Sequence, residues 1–228
     1  MGARPVIYPY PEVRDEYATL KALRAGASIA RIGDGELKLI HGAAAMREPA
    51  NPKLARELLD ILQRPVKGLL PGIPTLDPKG PKHINWLKHA VRFCQVLVPG
   101  VTYYSAFITR PDSAPWISTN TFARGMQSLW TGKRVALVAE RDVAIVRTVS
   151  REPGAPADLV LITCPHRETY TEIDRIESEV ARAAPQIALL SAGPAASCLA
   201  QRLCRRGIQA VDIGSAGQFL ARCLWPQD

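Results

Sequence analysis

A chain of 228 residues that is 47% hydrophobic and 22% charged can bury one sizeable core, which excludes a disordered or fibrous protein. No apolar run approaches the roughly 18–20 residues of a membrane span, residues 1–10 lack the apolar stretch of a signal peptide, and five scattered cysteines (Cys94, Cys164, Cys198, Cys204, Cys223) without a C-x-x-C pair fit free thiols in a reducing cytoplasm rather than a zinc site. The net charge of +8 is spread along the chain without a basic tail or a nucleic-acid motif, so it points to a negatively charged small substrate or a lipid-surface acceptor and away from nucleic acid.

In chain order, Val13, Tyr17 and Leu20 predict a helix over 11–24 that stops at Gly26, within an N-terminal helical extension, residues 1–27. Residues 28–32 form the first predicted strand, and 34–42 a helix. Asn51 and Pro52 start another helix as N-cap and first-turn proline, with Leu54, Leu58, Ile61 and Leu62 on one side. Residues 66–70 read as a short strand closed by a loop over 71–81. Ile84, Leu87, Val91 and Cys94 mark a helix, 101–108 a strand, and Phe122, Met126 and Leu129 a helix after the proline-bearing loop 110–116.

The second half is more regular. Predicted strands at 134–139, 159–163, 187–191 and 210–213 are each followed by a helical segment, at 142–149, 168–184, 195–206 and 216–224. Near-continuous apolar strands separated by helices predict an α/β fold, a single Rossmann-like domain over 1–228 with a mostly parallel sheet covered by helices on both faces. In such sheets ligands bind outside the carboxyl ends of the strands.

Three features sit at that edge. Gly33-Asp34-Gly35-Glu36 follows the first strand, and its glycines let the backbone approach a ligand. Asp34 and Glu36 are either an N-cap with a first-turn acid or a hard-oxygen pair suited to Mn2+ or Mg2+. Gly193-Pro194 opens a helix whose backbone N–H groups can meet a phosphate, or forms a tight turn. Arg110 follows the predicted 101–108 strand, and Arg31 either neutralises phosphate or forms a salt bridge to Asp34 or Glu36. Of the aromatic residues, Trp116, Trp130 and Trp225 are candidates for stacking on sugar rings or for core packing. The histidines His41, His83, His89 and His166 show no metal-ligand spacing and are assigned to packing or surface roles.

Ser28-x-x-Arg31-x-Gly33-Asp34-Gly35-Glu36 with Leu39-Ile40-x-Gly42 resembles the opening signature of the bacterial GT-D-type glycosyltransferases. Residues 107–111 are similar to that family's second block. Gly193-Pro194-Ala195, with Leu199-Ala200 and 207–214, resembles its closing segment. The resemblance implies a metal-dependent transfer of a sugar from a nucleotide-sugar donor, expected to be a UDP-sugar, to a glycan, glycoprotein or glycolipid hydroxyl. It makes Asp34 and Glu36 the metal–diphosphate pair, and Arg31, Gly33, Gly35, Arg110 and Gly193 donor-binding residues. Asp212 and Glu140 are the candidates for a general base. Two departures stand out: Ser215 where the pattern has a histidine, and 138–141 in place of a glycine-containing strand end. The alternatives are a non-catalytic nucleotide-sugar-binding domain and a metal-dependent phosphatase or phosphotransferase. Location in the cytoplasm, with peripheral association at the inner membrane face, is the matching expectation.

Overall fold

Hydrophobic residues on alternate strand positions face opposite ways, and the chain satisfies both faces at once. The computed structural model describes residues 9–45, 47–76, 83–110, 119–140 and 144–224. Among them, eight strands form one sheet: β1 (Val13–Arg14), β2 (Ser28–Arg31), β3 (Leu69–Ile73), β4 (Tyr103–Ser105), β5 (Arg134–Ala139), β6 (Asp158–Thr163), β7 (Ile187–Leu190) and β8 (Ala210–Asp212). Their order is β1-β4-β3-β2-β8-β7-β5-β6, and every pairing is parallel. The helices are α1 (Glu16–Arg24), α2 (Asp34–Ile40), α3 (Pro52–Gln63), α4 (His83–Cys94), α5 (Thr119–Gln127), α6 (Ala144–Ser150), α7 (Ile173–Ala183), α8 (Pro194–Arg205) and α9 (Ala216–Leu224).

In β5, Ala136 and Val138 join a core with Leu54 and Leu58 of α3, Ile176 of α7 and Leu199 of α8. Val135, Leu137 and Ala139 point to the other face, against Leu23 of α1, Phe122 of α5, Val149 of α6 and Leu220 of α9. A parallel strand covered on both sides needs this unbroken apolar run, which is why the second-half strands were readable.

Three boundaries differ from expectation. Val13–Arg14 leaves the predicted helix and pairs with β4, so this part of the N-terminal segment is an edge strand of the sheet. Asp15 then caps α1, accepting from the Ala18 N–H at 2.8 Å. The predicted 71–81 loop begins later, because Pro71 lies inside β3 opposite Ala30. The carbonyls of Gly68 and Gly72 bond to β2, so Pro71, of opposite parity, removes no donor from that ladder. Finally, the predicted 101–108 strand is only three residues long. Ser105 Oγ accepts from the Phe107 N–H at 3.1 Å and turns Ala106–Thr109 into a 3-10 helix.

Trp130 is fully buried in the second core, which is the packing alternative, while Trp116 and Trp225 lie outside the described residues. Cys94, Cys164, Cys198 and Cys204 are free thiols. Among the described residues no helix is long and apolar enough to cross a membrane.

Candidate active site

Parallel strands deliver their carboxyl ends to one edge, and there the chain encloses a cavity of about 440 Å³. All nine residues singled out above line it: Arg31, Gly33, Asp34, Gly35, Glu36, Arg110, Glu140, Gly193, Asp212. They come from five separate segments.

At the β2–α2 turn the two carboxylates have different surroundings. Glu36 folds back so that Oε2 accepts from the Gly33 N–H at 2.8 Å, half of a capping box. Burial, reinforced by the negative charge of Asp212, pushes the Glu36 carboxyl up to about 7. Asp34 is exposed and, among the described residues, pairs with Lys38 Nζ at 3.5 Å. The N-cap of α2 is Gly33 rather than the expected Asp34, which stands in the first turn; Glu36 closes the capping contact and also lines the cavity.

Beneath the turn, Arg31 is held on several sides. Its Nε donates to the Asp212 carbonyl at 2.9 Å and its Nη2 to Asp212 Oδ1 at 3.3 Å. Nη1 donates to Thr109 Oγ1 at 2.5 Å and to the Ala106 carbonyl at 3.2 Å. These bonds use four of the five guanidinium N–H groups. Gly214 makes room for this arrangement: it has φ +48, and a Cβ there would stand 2.0 Å from Arg31 Nη2.

Asp212 is correspondingly committed. Beyond Arg31 it accepts from Ser197 Oγ at 3.1 Å and the Gly214 N–H at 3.0 Å. With the Arg31 main-chain N–H 3.3 Å from Oδ2 as well, each oxygen of this buried carboxylate faces two donors, and the group anchors Arg31. The expectation of Asp212 as a general base gives way to an anchoring role.

Gly193 has φ +56 and precedes Pro194 at the first position of α8. The left-handed backbone requires glycine, and a Cβ there would meet only open space. Arg110 ends the Ala106–Thr109 turn, its N–H bonded to the Phe107 carbonyl at 2.7 Å.

On the β5–β6 side the cavity has a rim that the sequence did not announce. Glu140, just past β5, has Oε1 2.6 Å from Arg47 Nη1 and Oε2 2.6 Å from His166 Nδ1. Glu140 is therefore one member of an Arg47–Glu140–His166 group rather than an isolated acid. His166 belongs to the site, not to a remote surface, and Arg47 had no local signal at all. Two contacts fix the group: the Arg47 carbonyl accepts from the Glu168 N–H at 2.9 Å, and buried Glu48 accepts from the Tyr170 N–H at 3.0 Å. Trp86 and Phe107, with ring centroids 5.7 Å apart, add an aromatic wall, and Ser215 lines the same space.

Among the described residues, no three His, Cys, Asp or Glu side chains are grouped to hold a metal ion. The chemistry of the donor set still suits a shared site. Asp34 and Glu36 offer hard oxygens at a cavity edge, and a divalent ion there needs phosphate oxygens or water to complete its shell. A cation would also offset the burial, and the lesser repulsion from Asp212, that raise Glu36.

Comparisons with known proteins bear on the family and the fold. A family model described as "Glycosyltransferase GT-D fold" matches residues 29–218. Glycosyltransferase GlyD of Streptococcus pneumoniae serotype 4 is 24% identical over 207 residues, covering 82% of this chain and 24% of GlyD. Gly of Streptococcus gordonii, named a probable glycosyl transferase, is 26% identical over 215 residues, covering 84% of this chain and 30% of its own length. The chain thus spans about a quarter to a third of the curated relatives it matches. A solved structure of the domain of unknown function 1792, described as a distinct glycosyltransferase fold, superposes with a TM-score of 0.80 at 24% identity, covering 93% of this chain and 81% of that one. A structure described as a new glycosyltransferase from Streptococcus sanguinis gives 0.78 at 22% identity, covering 92% and 84%.

Proposed function

From the premise that the chain belongs to the GT-D-fold glycosyltransferase family, we propose that it transfers a sugar from a nucleotide-sugar donor, a UDP-sugar in the first instance, to a hydroxyl of a glycan, glycoprotein or glycolipid, using Mn2+ or Mg2+. The observation that carries this reading is the convergence of Asp34, Glu36, Arg31, Arg110 and the Gly193 turn on one cavity.

Asp34 and Glu36 would hold the ion together with the donor diphosphate. When bound, the ion neutralises charge that grows on the leaving diphosphate. The chain's own residues do the rest. The first turn of α8, opened by Gly193 and Pro194, presents backbone N–H groups and the positive end of a 12-residue helix to phosphate oxygens. Arg110 adds positive charge from the β4 side, and Arg31 adds its charge from below with one N–H still to give. Because Arg31 is fixed by Asp212, Thr109 and Ala106, its charge is preorganised and needs no reorientation as the bond breaks. The acceptor hydroxyl attacks the anomeric carbon as the nucleoside diphosphate departs.

A cytoplasmic location, or attachment at the inner membrane face, matches the free thiols and basic charge. Incubation with a panel of nucleotide sugars and manganese tests the reading, with products separated by chromatography. Release of nucleoside diphosphate with a glycosylated or hydrolysed sugar is expected. Release of inorganic phosphate would instead support a phosphatase, and an unchanged donor panel a binding domain without turnover.

A further inference from the structure

The Arg47–Glu140–His166 group has more structure than a chance ion pair needs. Its members come from three distant segments, all three line the cavity, and the main-chain bond from Glu168 to Arg47 with the Tyr170 N–H bond to the Glu48 carboxylate ties two of those segments together. Half-exposed ion pairs contribute little to stability. The fold therefore gains little from this alignment, whereas a transfer reaction has a use for it.

We propose that His166 is the general base of the transfer and that Glu140, steadied by Arg47, positions it; this rests on the glycosyl-transfer reading above. His166 Nδ1 lies 2.6 Å from Glu140 Oε2 and 2.7 Å from Arg47 Nη1. A ring nitrogen cannot donate to one and accept from the other at once. An unprotonated Nδ1 would set its lone pair against the Glu140 oxygen at 2.6 Å, whereas Arg47 Nη1 has Glu140 Oε1 as an acceptor at 2.6 Å. A proton on Nδ1 can thus be donated to Glu140, which leaves the Nε2 lone pair as the ring's acceptor. Among the described residues Nε2 has no hydrogen-bond partner. A carboxylate that fixes the tautomer of an imidazole and offsets its charge is what a hydroxyl base requires.

The position also suits the task. From β2 the sheet runs through β8 and β7 to β5 and then β6, so the base lies three to four strands from the acidic turn. At the usual strand spacing that is about 14–19 Å of backbone separation. Residues of both rims line one cavity of about 440 Å³ in that gap, and the proposed reaction sets the donor phosphate, the anomeric carbon and the attacking hydroxyl between them. The acceptor oxygen forms its bond to the anomeric carbon, and the bond from that carbon to the phosphate oxygen breaks. The diphosphate leaves with the electron pair, and the hydroxyl proton passes to His166 Nε2. Attack opposite the leaving group inverts the anomeric configuration.

The test uses the full chain, manganese, whichever nucleotide sugar of the panel is turned over, and p-nitrophenyl hexosides as acceptor probes. His166→Asn is expected to lower kcat about 100-fold or more, with donor affinity measured by calorimetry unchanged. Imidazole added to His166→Gly is expected to restore turnover, which a purely structural residue would not allow. Glu140→Gln is expected to lower kcat at unchanged donor KM, and Glu140→Asp to recover part of it. The product should carry the inverted configuration by NMR. Turnover of His166→Asn within threefold of the parent, no rescue by imidazole, or a retained configuration would each overturn the proposal. If the parent chain turns over no donor, glycosyl transfer itself fails and this proposal falls with it, an outcome distinct from the others.

Discussion

The two rims of the cavity are built by opposite means. The β2–α2 rim packs two glycines and two carboxylates into four consecutive residues, so its geometry is set by one turn and one capping bond from Gly33 to Glu36. The β5–β6 rim gathers Arg47, Glu140 and His166 across the sheet, and none of them has a neighbour in sequence that announces it. Local geometry suits a site for a fixed charge, such as a metal–diphosphate. A rim gathered from distant loops suits a group that must meet a variable acceptor.

The largest effect should come from the local rim. Asp34→Ala or Glu36→Ala is expected to weaken manganese-dependent donor binding at least 100-fold with the circular dichroism spectrum unchanged. The His166 variants should leave that affinity intact. Equal losses of affinity at both rims would erase the distinction.

Next comes the anchor between them. Asp212→Ala leaves the largely buried Arg31 charge without its partner, at a cost of about 3 kcal/mol in chemical denaturation. A cost under about 1 kcal/mol would mean that Arg31 is held by its other contacts alone.

How much of this was legible in sequence follows the same division. β5 was readable to the residue because both of its faces are apolar. The Asp34–Glu36 turn was readable because its chemistry is contiguous. The two-residue β1 is too short to carry a period, and β4 stops where Ser105 bonds its own downstream backbone. Pro71 reads as a breaker unless the parity of the β2–β3 ladder is known. His166 and Arg47 gain meaning only from partners 26 and 93 residues away at Glu140. Asp212 was placed at the right edge, but apart from the local Gly214 N–H the donors that occupy it, from Arg31 and Ser197, are tertiary.

Glu36 sharpens the comparison through pH. Its folded-state carboxyl titrates near 7, against 4.5 for the free group, so the charged form costs stability above pH about 7 and the cost fades as pH falls toward 4.5. Glu36→Gln, which keeps an acceptor for the Gly33 N–H, is expected to stabilise the metal-free fold on the order of 2 kcal/mol at pH 8 and to lose the advantage near pH 4.5. Thermal melts at the two pH values check this, and no gain at pH 8 would contradict it. In the parent, protons compete with metal, so manganese-dependent binding should weaken as pH drops below 7.

The smallest effect is expected at Gly214. Alanine there must adopt φ +48 and displace Arg31 Nη2, for about 1 kcal/mol of destabilisation in the same denaturation assay. Donor affinity should fall further than that stability change, because the Arg31 charge moves.

The most direct measurement is calorimetric titration of UDP and UDP-sugars into the parent chain and Asp34→Ala, with and without manganese. Binding that requires manganese in the parent and disappears in Asp34→Ala is the predicted result. Equal affinity with and without metal, or manganese-dependent binding retained in Asp34→Ala, would contradict the assignment of the acidic turn as the metal–diphosphate site.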